Sequence, residues 1–180
     1  MPVYSAPVRD TRFVLYDVLD IERYSNLSGF AVASSDVVAA VLEEGGKFAA
    51  EVLLPLNLSG DQEGCVRQAD GSVTTPAGFK AAYAQYTEAG WTTLSAPEEF
   101  GGQGLPNVVS VAFGEYVLAC NHSFEMYQGL TAGAISALLV KGSEEQKAKY
   151  IPNMVAGTWT GTMNLTEPHC GTDLGLIKTK

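Results

Sequence analysis

Cysteine is scarce in this chain of 180 residues: Cys65, Cys120 and Cys170 are scattered, odd in number and never spaced as Cys-x-x-Cys. That excludes a disulfide framework and a zinc knuckle, and it suits a reducing compartment. Basic side chains are also few, 11 against 20 acidic ones for a formal charge of -9, and no stretch concentrates them. A nucleic-acid backbone finds no electrostatic footprint here, so nucleic acid is not an expected partner. No apolar run approaches the roughly 18 residues of a membrane span. The opening MPVYSAPVRDTRFVLYDVLD places acidic residues where a secretion signal needs basic and then unbroken apolar ones. The expected location is cytoplasmic. Charged residues make up only 17%, too few for a disordered chain, and the 46% apolar fraction suffices for a core.

What is present reads mostly as helix. Residues 9–19 place Phe13, Val14, Val18 and Leu19 at helical spacing behind Pro7. The segment 35–54 opens on Ser35 as N-cap and runs Val37, Val38, Val41, Leu42, Phe48, Val52 and Leu53 along one stripe, stopping before Pro55. Gly45 and Gly46 are expected to loosen one turn of it. Residues 57–75 are polar and aperiodic and read as a loop. A helix from Pro76 to about Ala89 follows, then an irregular segment, 94–106, with two prolines and several glycines. The runs 107–120 and 125–140 predict buried helices, and Ser143 with Gln146 makes a capping box for a last helix over 144–155. After Gly157 the Thr-rich stretch 158–166 predicts a strand. One strand cannot hold itself together, so the chain is expected to stop inside a domain.

Most constellations have a plain structural reading. Gly101-Gly102-Gln103-Gly104 lacks the lysine of a phosphate loop, and Asn107 stands where a dinucleotide fingerprint needs its third glycine. A tight turn at positive φ explains it. Cys120-x-His122 has no second pair and is poor metal spacing. His169 and Cys170 are adjacent, and successive side chains diverge, so a catalytic dyad is not expected. Glu43-Glu44, Glu98-Glu99 and Glu144-Glu145 suit exposed helix ends. The stretch 162–173 differs. A strand edge there offers alternating N–H and C=O groups that can read the uracil-like edge of a flavin, Thr166 and Thr172 add hydroxyls, and Gly171 lets backbone approach a ligand.

Three segments together resemble the acyl-CoA dehydrogenase family. Ala96-Pro97-Glu98-Glu99-Phe100-Gly101-Gly102-Gln103-Gly104-Leu105 is similar to its "PE–GG–G" loop. Gly142 to Pro152 is similar to its "G–x–x–x–Q–K–x–x–Y–L–P" helix. Leu165-Thr166-Glu167-Pro168-His169-Cys170-Gly171-Thr172-Asp173 is similar to its "TEP–x–x–GSD" signature, with Thr172 for the serine. They occur in the family's order and spacing across residues 76–180. The leader through Leu19 resembles that of a bacterial subgroup that includes 3-methylmercaptopropionyl-CoA dehydrogenases.

The resemblance implies an all-α amino-terminal domain over 1–157, with a short leader 1–34, and the first strand of a middle β-barrel domain over 158–180. It implies FAD as cofactor and oxidation of an acyl-CoA to a trans-2-enoyl-CoA by α-proton abstraction and β-hydride transfer. Met163, Asn164, Leu165 and Thr166 would line the flavin's pyrimidine side, with Thr166 near N1 and O2. Gly171 and Thr172 would contact FAD, and Thr172 also the CoA portion. Tyr127 and Leu130 would border the acyl cavity. The family's catalytic glutamate is expected beyond Lys180, so these residues alone are expected to be inactive, with no catalytic residue and no metal ligand assigned. An electron-transfer flavoprotein is the implied acceptor, and the full-length protein is expected to be a homo-oligomer. Two other readings share the residues: an acyl-CoA oxidase or flavin monooxygenase of the same fold, and a non-enzymatic helical interaction module.

Overall fold

A computed structural model describes residues 3–179. Helix α1 (Val8–Phe13) runs into a π-helical turn, Val14–Val18. Helix α2 (Ser35–Phe48) passes through a second π-helical turn, Ala49–Leu53, into α3 (Leu54–Glu63). Strands β1 (Val66–Arg67) and β2 (Val73–Thr74) form an antiparallel hairpin that pairs Val66 with Thr74 and Arg67 with Val73. Then come α4 (Phe79–Glu88), α5 (Asn107–Cys120), α6 (His122–Lys141) and α7 (Glu144–Val155). No described helix is long and apolar enough to cross a membrane.

Several local expectations hold and others move. The capping box on α7 forms in both directions, Ser143 Oγ accepting from Gln146 N at 3.2 Å and Gln146 Oε1 accepting from Ser143 N at 2.9 Å. The cap of α2 is Ser34, whose hydroxyl accepts from Val37 N, one residue before the expected Ser35. Pro55 does not stop that helix. It falls in the first turn of α3, just after the π turn, where a missing N–H is tolerated. The helical ladder therefore reaches Glu63, and the expected loop over 57–75 is instead about two helical turns followed by the hairpin.

Gly45 and Gly46 do not loosen the helix; they bring it close to its neighbours. A Cβ on Gly45 would stand 2.5 Å from Phe113 Cδ2 on α5, and one on Gly46 would stand 2.6 Å from Ala6 Cβ. With that approach Val38, Leu42, Ala49 and Leu53 bury fully against the core that Val109, Phe113, Tyr116 and Val117 supply from α5. Aromatic rings fill the rest: Trp91 stacks on Phe113 at 4.6 Å between centroids, and Tyr86 meets Phe124 edge-on at 5.4 Å. Each such pair adds about 0.5–1.5 kcal/mol beyond its buried area. A second cluster, Ala96, Ile135, Ile151, Met154 and Val155, seats α7 on α6.

The segment 94–106 is irregular but ordered by its own bonds. Gln103 N, Gly104 N and Leu105 N donate to Thr93 O, Ala96 O and Leu94 O at 2.8, 3.0 and 2.9 Å. The Gln103 side chain adds bonds to Gly90 O and Thr93 Oγ1. A Cβ on Gly102 would stand 1.9 Å from Ala96 O, so only glycine fits there. The glycine cluster is thus a tight connection between helices.

The strand expected over 158–166 does not form. Thr158 and Trp159 donate to Asn153 O and extend the end of α7, and residues 160–166 are neither helical nor paired in a sheet. A strand exists only against a neighbour. Among the described residues, the hairpin β1–β2 lies elsewhere and no other strand is available to it.

Candidate functional site

The carboxy-terminal segment is moored to the helices at its start and free further on. Tyr83 Oη donates to Gly157 O at 3.0 Å. Thr131 Oγ1, on α6, donates to Tyr127 O at 2.6 Å and accepts from Gly161 N at 3.1 Å. Thr131 is buried, so its hydroxyl is a relay locked between two main-chain groups. Gly161 lies so close to α6 that an added Cβ would be 2.6 Å from Ala134 Cβ and 3.1 Å from Leu130 O. The segment therefore starts over Tyr127, Leu130 and Thr131.

That mooring sets Thr160 and Gly161 beside two of the expected site residues, Tyr127 and Leu130. Tyr127 is half-buried, edge-on to Tyr83 at 6.0 Å and to Phe124 at 5.7 Å. It lines an open, mainly apolar groove of about 370 Å³ with Val73, Phe79, Tyr83 and Thr160. Burial raises the phenol pKa of both Tyr83 and Tyr127, so these hydroxyls stay neutral hydrogen-bonding groups. Leu130 is half-buried beside the same segment.

Beyond Gly161 the main chain carries unused bonds. Among the described residues no N–H of 162–166 donates to another main-chain group, and Met163, Asn164, Leu165 and Thr166 are all exposed. Met163 is 66% exposed, far more than its chemistry favours in water. Glu167 and Cys170 then exchange both main-chain hydrogen bonds, 3.0 and 3.1 Å, around a Pro168-His169 turn. The pairing is a single bridge, with Thr166 immediately before it and Gly171 and Thr172 immediately after. Nothing lies within 4 Å of a Cβ built on Gly171, so no packing inside the chain calls for glycine there. Unpaired donors and acceptors, exposed apolar side chains and open space at Gly171 suit the planar edge of a flavin.

A second groove was not foreseen from the sequence. It lies between α5 and α6, holds about 280 Å³, and is lined by Trp91, Thr92, Ser110, Glu125, Gln128 and Gly129 among others. Trp91 Nε1 and Thr92 Oγ1 are buried without a protein partner. Burial pushes the Glu125 carboxyl above the usual range, opposed by nearby His122. Glu125, Gln128 and Gly129 share a helical face, yet nothing in that spacing separates a groove from a solvated stripe.

Comparison with known proteins decides the family. Residues 35–158 match the model described as acyl-CoA dehydrogenase, N-terminal domain. The chain belongs to the acyl-CoA dehydrogenase family. Within it, 175 residues, 97% of this chain, are 43% identical to the 3-methylmercaptopropionyl-CoA dehydrogenase of Ruegeria pomeroyi and cover 30% of that protein. The broad-specificity linear acyl-CoA dehydrogenase FadE5 of Mycobacterium tuberculosis is 33% identical over 181 residues, which is 29% of its length. The chain thus spans about 30% of the length of the curated relatives it matches. Among solved structures, an acyl-CoA dehydrogenase complexed with FAD from Bacillus anthracis superposes with a TM-score of 0.62 at 26% identity, covering 79% of this chain and 22% of that one. A structure reported for the electron transferring flavoprotein of Acidaminococcus fermentans gives 0.64 at 23% identity over 79% of this chain and 34% of that one, which speaks to the fold alone.

Proposed function

We propose that the full-length protein is an FAD-dependent acyl-CoA dehydrogenase, and that residues 1–157 supply its amino-terminal helical domain while 158 onward begins its middle β-domain. The observation that carries this reading is the unpaired main chain of 162–166 ending at the Glu167–Cys170 bridge. FAD, when bound, supplies the acceptor for the hydride lost from the substrate's β-carbon. Met163, Asn164, Leu165 and Thr166 would hold its pyrimidine side, with the Thr166 hydroxyl as a hydrogen-bond donor toward N1 and O2. Gly171 and Thr172 would lie against FAD, and Thr172 would also meet the CoA portion of the substrate. Tyr127 and Leu130 border the acyl chain, their apolar surface keeping water from it. The base that takes the α-proton comes from residues outside this stretch. The electron acceptor is an electron-transfer flavoprotein, the full-length enzyme is a homo-oligomer, and its three free cysteines suit the cytoplasm.

Purification of the full-length protein tests this. It should be yellow with FAD and should reduce a dye when given acyl-CoA without oxygen. Thr166→Val should lower the flavin's reduction potential and depress kcat more than KM, as expected for a bond that strengthens on reduction. A colourless protein that takes up no added FAD would overturn the proposal in favour of a helical interaction module. Peroxide formation in air outpacing dye reduction would instead make it an oxidase or monooxygenase of the same fold.

A further inference from the structure

The turn that follows Thr166 assembles a second set of donors with a different chemistry. Glu167 and Cys170 are a directly opposed, doubly hydrogen-bonded antiparallel pair, so their side chains project from the same face about 5.5 Å apart at Cα. His169, in the intervening turn, folds its ring back until Nε2 is 3.3 Å from Glu167 Oε2. One oxygen of Glu167, one ring nitrogen of His169 and Sγ of Cys170 all lie within 4.8 Å of one another. We propose that these three residues form a binding site for a zinc(II)-class cation, with the fourth position left to water.

The donor set selects the metal. A thiolate, an imidazole and a carboxylate are the ligands zinc takes in tetrahedral sites, at about 2.0–2.3 Å, which requires mutual separations a little shorter than those present. Magnesium and calcium want an all-oxygen shell and gain nothing from Cys170. The surroundings are prepared for it as well. Glu167 Oε1 accepts from Thr179 N and Thr179 Oγ1, which orients the carboxylate, while Oε2 accepts from Lys178 N at 3.1 Å and keeps a lone pair toward His169. His169 Nε2 also sits 3.0 Å from Leu176 O, which holds the ring turned toward Glu167. Cys170 is buried and gives up its thiol proton to solvent on binding, and the cation enters from the side of His169, whose side chain is 40% exposed. Spacing in the sequence gave no sign of this site, because a three-ligand cluster inside four consecutive residues depends on the Glu167–Cys170 register. The proposal does not depend on the flavin reading.

The test uses the full-length protein, stripped with a chelator and titrated with zinc(II), and then with cobalt(II) as a spectroscopic probe. One zinc per chain is expected, together with a thiolate-to-cobalt charge-transfer band. Cys170→Ser should abolish the band, and His169→Gln should weaken binding by at least about tenfold. Cys65→Ser, which removes the exposed thiol, should change neither. Magnesium should not compete. Absence of stoichiometric zinc binding, or binding that survives His169→Gln at full affinity, would overturn the proposal. Because His169 is exposed, its replacement leaves the fold in place even if Cys170→Ser does not.

Discussion

The side-chain amide of Asn121 donates to the main-chain carbonyl of Leu53 at 3.2 Å, joining residues 68 positions apart. The same side chain accepts from Phe124 N at 3.1 Å as the N-cap of α6. Asn121 is 1% exposed and occupies the single break between two long helices. It therefore fixes where α5 ends, where α6 begins, and how both meet the π turn that precedes α3. Asn121→Ala removes a cap worth about 1 kcal/mol and leaves a buried carbonyl unpaired at a further cost of about 1–3 kcal/mol. Urea unfolding should show a loss of about 2–4 kcal/mol. Asn121→Asp should recover part of it, since an aspartate can still cap Phe124 but cannot donate to Leu53.

Two glycines inside helices should respond in opposite ways to alanine. In α2, Gly45→Ala gains about 1 kcal/mol of helix propensity but drives a methyl to 2.5 Å from the Phe113 ring, and overpacking of that kind costs about 1–3 kcal/mol. A net loss of stability is expected. In α5, nothing lies within 4 Å of a Cβ on Gly114, so Gly114→Ala should raise the melting temperature. Thermal unfolding of the two variants side by side checks both signs.

Glu125 carries a pH dependence whose direction follows from its burial. Its folded pKa is raised, so the ionised form is disfavoured in the native state. The native state binds the proton more tightly than the unfolded chain does. Its contribution to stability is therefore fully present below the ordinary glutamate pKa and is lost as pH rises through the elevated folded value. Glu125→Gln should be more stable than the wild type at neutral pH, and the difference should shrink as the medium is acidified toward the ordinary carboxylate range. Urea midpoints at a series of pH values measure this, and a difference that grows on acidification would contradict it.

Thr131 should control the mooring of the carboxy-terminal segment. Thr131→Val keeps the volume but removes the hydroxyl that bridges Tyr127 O and Gly161 N. With the Gly161 N–H left unpaired beside α6, a loss of about 1–3 kcal/mol is expected. Hydrogen exchange should speed up at residues 157–161 well before it changes in α5. Uniform acceleration throughout the chain would show that the relay is not local.

Legibility in the sequence followed the range of the forces involved. The capping box at Ser143–Gln146 depends on four consecutive residues and could be read directly. The helix of α5 was equally visible and buries one face as expected, whereas α6, expected to be buried, covers only Phe124, Thr131 and Ile135 and leaves Met126 and Val140 exposed. Pro55 misled, since its effect depends on whether the helical ladder changes pitch just before it, and the π turn at Ala49–Leu53 has no local signature. Gly45 and Gly46 were visible as glycines, but only the placement of Phe113 and Ala6 turns them from weak points into contact points. The motifs around Thr166 and Gly171 identified the family without revealing that 160–166 has no strand neighbour here.

By itself the amino-acid sequence determined the helical character, the ends of α5 and α7 and the family, because propensity, capping and apolar periodicity act within one or two turns. Tertiary structure alone decided the groove between α5 and α6, the Thr131 relay and the meeting of Glu167, His169 and Cys170. Those features arise when a turn, a register or a helix crossing brings side chains together in three dimensions, and residue spacing along the chain does not encode that meeting by any short rule.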